Sequence, residues 1–144
     1  AADKIHRKNN NHWQYWKNPP IEKLKWVEDG IKNKEYFFVE NTNGEILGML
    51  RILDEDLLYW GKQSTKAKYV HSLVVVEKYN GKGIGQLILD HVEKQARKEH
   101  CQFLRLDADS KNPKLCNYYE QQGFQKVGTK QLPISVYNLY EKKI

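Results

Sequence analysis

The alternation of apolar and polar positions divides the chain into short strand-like and helix-like stretches. Residues 36–40 and 45–53 are two β-rich runs on either side of Asn43-Gly44, a turn pair that predicts an antiparallel hairpin. A third β-rich run spans 69–76. It stops at Glu77-Lys78, passes through Gly81, Gly83 and Gly85, and resumes with Ile84, Leu87, Ile88 and Val92 at helical spacing. Residues 103–108 then put Leu104, Leu106 and Ala108 on one strand face, and a helix between two such strands predicts a right-handed parallel crossover. Asn112-Pro113 opens a further helix with Leu115, Tyr118, Tyr119 and Gln122 inward, and Gly123 closes it. Residues 124–127 and 136–142 read as two last strands separated by Pro133. Upstream, residues 1–17 read as a polar helix giving way to an aromatic segment. Residues 20–29 read as a second helix, with Ile21, Leu24 and Val27 on one face and Gly30 as its stop. The order helix, helix, hairpin, strand, helix, strand, helix, strand, strand predicts one α+β domain over residues 1–144 with a mixed sheet.

Size and composition narrow the class. The 144 residues suffice for one substantial core and are too few for two ordinary domains. Apolar residues make up 40%, with no run long enough to cross a bilayer and no signal-peptide pattern. The expectation is a soluble, cytoplasmic protein with no membrane partner. Cys101 and Cys116 show neither Cys-x-x-Cys nor Cys/His ligand spacing, so two reduced thiols and no metal site are expected. Lysine and arginine exceed acids by 24 − 18 = 6, but the lysines are spread along the chain without an arginine block or an aromatic RNA-binding signature. A nucleic-acid partner is not expected. Lys78, Lys82, Lys111 and Lys114 instead offer local charge to a polyanionic ligand.

The glycine turn carries the first chemical signal. A turn and helix start present N–H groups with no intrahelical partner, glycines admit an anion close to the main chain, and the helix dipole favours negative charge there. A diphosphate cradle follows. It is not a P-loop, because no lysine of the turn is followed by Ser or Thr in the required register. It fits a dinucleotide fingerprint poorly, because the spacing is Gly81-x-Gly83-x-Gly85 and the turn lies after a hairpin, not in a first βαβ unit.

The stretch from residue 69 to 90 resembles motif A of the GNAT superfamily of acyl-CoA-dependent N-acyltransferases, with Gly83 and Gly85 matching and Asn80 standing at its Gln/Arg position. Residues 112–124, Asn-Pro-Lys-Leu-Cys-Asn-Tyr-Tyr-Glu-Gln-Gln-Gly-Phe, resemble motif B of the same superfamily, with Leu115 in place of a small residue. The resemblance as a whole covers about residues 20–144. The resemblance implies a mixed, mostly antiparallel central sheet with one parallel pair, flanked by helices in α-β-α layers. The family's first strand is expected to be missing or replaced here. It implies acetyl-CoA as co-substrate, with main-chain groups of Leu73, Val74 and Val75 holding the acyl and pantetheine arm. Gly81, Lys82, Gly83, Ile84, Gly85 and Gln86 would wrap the diphosphate, and Asn112 would contact the pantetheine. Tyr119 would aim its hydroxyl at the sulfur as general acid.

The acceptor amine must be neutral to attack, so a base or water chain is needed. Asp107, which matches an acidic position used as base in some relatives, is the first candidate, and His71 the second. A backbone N–H of the third β-run, at Val75, is the candidate oxyanion donor. The acceptor is expected to be a small-molecule or peptide amine, in a monomer or homodimer. Trp13, Tyr15, Trp16, Trp26, Tyr59 and Trp60, with Asp54, Glu55 and Asp56, would wall its pocket. Two other readings stay open: an acyl-CoA-binding or regulatory module without turnover, and a basic nucleic-acid-binding domain.

Overall fold

The computed structural model of the protein describes residues 32–144. The two helices expected upstream, with Trp13, Tyr15, Trp16, Trp26 and Gly30, lie outside the described residues. The elements are β1 (Tyr36–Glu40), β2 (Ile46–Leu53), β3 (Ala67–Val75), α1 (Ile84–Lys98), β4 (Phe103–Asp109), α2 (Pro113–Gln121), β5 (Gln125–Gln131) and β6 (Val136–Lys143). The strand order is β1-β2-β3-β4-β6-β5. β3 and β4 run parallel, whereas β1/β2, β4/β6 and β5/β6 are antiparallel. This is the mixed α+β sheet with one parallel crossover that the periodicity predicts. No helix among the described residues is long and apolar enough to cross a membrane.

The described residues group into two compact units, one holding residues 32–51 with Ser72–Gly85, the other Ile52–His71 with Gln86–Ile144. In the first, β1 and β2 pair from Tyr36↔Arg51 with a bulge between Val39 and Glu40. The hairpin loop is longer than an Asn-Gly pair, because the Asn41 side chain accepts the amide N–H of both Asn43 and Glu45 at 2.9 Å and shapes the turn itself. Buried Arg51 donates to Glu35 at 2.7 and 3.2 Å and lies 5.3 Å from the Tyr36 ring centroid, which offsets the cost of burying its charge.

Gly48 of β2 lies so close to β3 that a Cβ there would collide with the Val74 carbonyl oxygen. Gly48→Ala is therefore expected to lower stability by about 1–3 kcal/mol, the usual cost of overpacking. Urea unfolding measures it. An unchanged midpoint would contradict the close approach.

In the second unit β4 is flanked by β3 and β6 and buries Leu104, Leu106 and Ala108, the expected alternation. Its other face is also covered, because Arg105 donates to Glu141, to the Tyr69 hydroxyl and to Thr65 Oγ1 at 2.8, 2.9 and 2.8 Å. The same guanidinium lies 5.1 Å from the Trp60 ring and 4.7 Å from Phe103. α1 buries Ile88, Leu89, Val92 and Ala96. Leu87, expected inward, is 48% exposed. A stripe through 88, 89, 92 and 96 leaves no place for position 87. α2 likewise buries Cys116 and Tyr119, while Leu115, Tyr118 and Gln122 are only half-buried. Tyr119 packs edge-on against Phe124, with Tyr140 at 6.2 Å. β5 continues past its expected end to Gln131 by pairing with β6. Cys101 and Cys116 are both free thiols and buried.

Candidate active site

The β3–β4 ladder runs from Ala67↔Phe103 to Val70↔Leu106 and then stops, although β3 continues to Val75 and β4 to Asp109. Just beyond the last pair, Ser72 has φ +54, a left-handed backbone for a non-glycine residue that costs roughly 1–3 kcal/mol. Past this kink the Val76 N–H donates to the Leu47 carbonyl at 2.7 Å, and the Val74 carbonyl faces Gly48. Because successive residues of a strand turn their main-chain groups to opposite edges, Leu73 and Val75 point theirs away from β2.

A single 3-10 turn, Glu77–Tyr79, leads from β3 into the glycines. Gly81 and Gly83 have φ +77 and +74, and no described residue comes within 4 Å of where a Cβ would sit at either. Both need a residue without a side chain for the conformation, and the open space above them lets a ligand approach the main chain. The amides of Gly81, Lys82 and Gly83 have no backbone acceptor among the described residues, and α1 starts at once with Ile84 and Gly85 in its first turn. Its leading N–H groups add to this donor set. Of the lysines expected to serve an anion here, Lys78 pairs with Glu45 at 2.9 Å. The Tyr79 hydroxyl donates to the same carboxylate at 2.7 Å, and Tyr79 first, Lys78 second, hold Glu45 down to about 2. Lys82 stays near the turn, 5.9 Å from the Tyr79 ring. Lys111 reaches the Ile134 carbonyl at 3.4 Å. Asn112 uses its side-chain oxygen as the N-cap of α2, accepting the Leu115 N–H at 3.1 Å.

The second unit holds a buried cluster. His71 and Asp107 are the first residues of β3 and β4 beyond the ladder, and His71 Nδ1 lies 3.2 Å from Asp107 Oδ2. On the other side of the ring Nε2 bonds to Asp56 Oδ2, while Asp56 Oδ1 accepts the Tyr59 N–H at 3.1 Å. The Tyr59 ring lies against His71 at 4.7 Å, tilted by 41°, and Tyr137 meets Tyr59 edge-on at 5.4 Å. Tyr119 is buried, and its phenol is pushed above the ordinary value by burial and then by the negative charge of Asp107. It therefore keeps its proton across the physiological range. Among the described residues its hydroxyl makes no hydrogen bond.

Three residues that sequence reasoning chose separately, His71, Asp107 and Tyr119, thus come together, and Asp56 joins them. Asp56 was expected as part of a pocket-wall triplet with Asp54 and Glu55. The triplet divides instead. Asp54 ion-pairs with Lys68, which also reaches Glu99 at 2.9 Å, whereas Asp56 turns into the core. Tyr59 and Trp60 are packing residues here, Tyr59 on His71 and Trp60 edge-on to Tyr69. Two signals pointed to Asp56: an acidic residue three before a tyrosine amide, the spacing of a side-chain-capped turn, and a histidine alone in an apolar strand, which needs a partner.

Among the described residues Asp56, His71 and Asp107 are the one group with the composition of a metal site, their ligand atoms lying within 4.8 Å of one another. Their arrangement suits protons better. The carboxylates lie against opposite nitrogens of one imidazole, and a single ion can take only one of the two.

The comparisons agree with this architecture. The model of the acetyltransferase (GNAT) family matches residues 4–124, and the chain belongs to that family. A Bacillus subtilis (strain 168) protein named uncharacterized N-acetyltransferase YesJ is 26% identical over 120 residues, 80% of this chain and 65% of the relative. The chain thus spans just under two thirds of that relative's length. Among solved structures, a GNAT-family acetyltransferase of Listeria monocytogenes matches with a TM-score of 0.69 at 21% identity, over 100% of this chain and 91% of its own. A GNAT-family acetyltransferase of Elizabethkingia anophelis with acetyl-CoA bound matches with a TM-score of 0.65 at 15% identity, over 88% and 85%.

Proposed function

We propose that the protein moves the acetyl group of acetyl-CoA to a primary amine. The observation that carries this is the parallel ladder of β3 and β4 that ends at Val70–Leu106, ahead of a glycine turn that opens a helix. Family membership gives that feature its chemistry, and the acetyl-CoA held by the Elizabethkingia relative supports the co-substrate.

In this reading Leu73, Val74 and Val75 line the pantetheine arm, with Leu73 and Val75 offering the main-chain bonds. The amides of Gly81, Lys82, Gly83, Ile84, Gly85 and Gln86 bind the diphosphate, and Asn112 borders the arm. The amine nitrogen attacks the thioester carbonyl, forming a C–N bond, and the Val75 N–H meets the oxyanion. Collapse breaks the C–S bond. The thiolate takes the Tyr119 proton, and the phenolate recovers one from the new amide nitrogen, so Tyr119 ends unchanged. Asp107 accepts the proton that the acceptor ammonium sheds beforehand. The buried carboxylates fit a cationic acceptor, small molecule or peptide.

A thiol-release assay with acetyl-CoA against small amines, polyamines, amino acids, aminoglycosides and peptide N-termini tests the reading. Acceptor-dependent release with at least one class is expected. Coenzyme A binding without release from any of them would favour the non-catalytic module.

A further inference from the structure

We propose that Asp56 and His71 are positioning residues behind Asp107, forming a relay that stores the proton the acceptor ammonium loses before attack. This rests on the acetyl-transfer reading above. The side chains are ordered by depth, with Asp107 9% exposed, His71 6% and Asp56 0%. Asp107 is the outermost and stands next to Tyr119, and Asp56 is the sealed end.

The relay is built on where these groups lie. An amide can only donate, so the Tyr59 N–H makes Asp56 Oδ1 an acceptor. The other carboxylate oxygen meets His71 Nε2, and the relay takes the ring proton to sit there. His71 Nδ1 then lies 3.2 Å from Asp107 Oδ2. In the relay's empty state both carboxylates are ionised and the ring is neutral.

Proton uptake proceeds without any co-reactant. The N–H bond of the acceptor ammonium breaks with its electron pair left on nitrogen, and the proton bonds first to Asp107 and then to His71 Nδ1, returning Asp107 to the carboxylate. The product is an imidazolium between two carboxylates, and the proton leaves to solvent after turnover. Two like charges in a dry site favour this uptake, since it lowers the net charge from two negatives to one. Asp107 alone would have to remain a neutral acid. The relay also bears on the other half of the reaction, because the Asp107 charge is one cause of Tyr119 holding its proton so firmly. Screening that charge with an imidazolium makes Tyr119 a better donor at the moment the thiolate leaves.

Among the described residues, the titratable groups facing the ring are Asp56 and Tyr59 from the segment before β3 and Asp107 from β4, and Tyr119 of α2 feels the charge of Asp107. Tyr137 of β6 lies behind Tyr59.

The test is Asp56→Asn in the full chain, read by imidazole ¹H–¹⁵N NMR across pH, with His71 assigned by loss of its signals in His71→Gln. Asparagine keeps an oxygen for the Tyr59 amide but sets an NH2 against Nε2, which moves the ring proton to Nδ1. Expected are that tautomer change and a fall in the pH at which His71 protonates by about 1–3 units, the effect of losing an adjacent opposite charge. Asp56→Glu is expected to restore most of it. With acetyl-CoA and the fastest amine of the panel above, the acid limb of kcat/KM moves to lower pH together with the His71 titration. An identical tautomer and titration in wild type and Asp56→Asn would overturn the relay. So would an acid limb that stays in place while only the melting temperature falls. Should Asp56→Asn fail to fold, His71→Gln decides, since its side chain hydrogen-bonds but takes up no proton: the acid limb moves to lower pH, where Asp107 alone titrates, if the relay operates and stays in place if it does not. No thiol release by wild type with any amine would sink the acetyl-transfer reading and the relay's role in it, while a shifted His71 titration would still establish the Asp56–His71 coupling.

Discussion

Replacing Tyr119 by Phe is expected to lower turnover by about 10²–10⁴-fold, the usual worth of a positioned general acid, with little change in coenzyme A affinity. The substitution removes one oxygen and keeps the ring, so the packing of α2 against Phe124 and Tyr140 survives. Because burial and Asp107 both raise the phenol, its loss of a proton lies well above neutrality in the native state. Wild-type activity should therefore show no alkaline limb from Tyr119 below about pH 10, the ordinary tyrosine value. Steady-state kinetics with saturating acetyl-CoA, alongside calorimetry with coenzyme A, separates the two effects. Turnover unchanged in the variant would remove Tyr119 from the chemistry.

The second large effect is expected at the glycine turn. Gly83→Val puts a β-branched side chain at φ +74 and fills the open space above the main chain. A left-handed backbone costs such a residue roughly 1–2 kcal/mol, and the added methyl groups occupy the place proposed for the diphosphate. Coenzyme A affinity is expected to fall at least about tenfold, each factor of ten being about 1.4 kcal/mol. The melting temperature should drop only modestly, because no described residue packs on this position. Gly81→Val should act alike. Calorimetry showing wild-type affinity in both variants would move the diphosphate away from this turn.

The strands and the crossover were legible because their signals are local: alternation at Leu104, Leu106 and Ala108, the glycine run after β3, and Asn112-Pro113 before α2. The misplacements have physical causes. Leu87 and Leu89 both continue an apolar helical pattern, and which one faces inward depends on how α1 sits on its neighbours. β5 was cut short because Gly128-Thr129-Lys130-Gln131 is polar, as befits an edge strand held by main-chain bonds to β6 alone. Cys116 faces inward because the buried positions of α2 lie three apart, while the neighbouring tyrosine offered a more conspicuous apolar ring.

The candidate site divides the same way. The glycine turn and Tyr119 belong to contiguous motifs and could be found by spacing. Asp56 offers only the faint local cue of its spacing to Tyr59, because its partner lies fifteen positions away on another element and its two acidic neighbours make it look like solvated loop. Only folding brings Asp56 under His71, and only the end of the β3–β4 ladder brings His71 to Asp107.

A crystal structure of the protein with coenzyme A tests the central claim most directly. The account predicts the diphosphate on the main-chain amides between Gly81 and Gln86, with the thiol within hydrogen-bonding distance of the Tyr119 hydroxyl. Coenzyme A seated elsewhere, or its sulfur remote from that phenol, would contradict it.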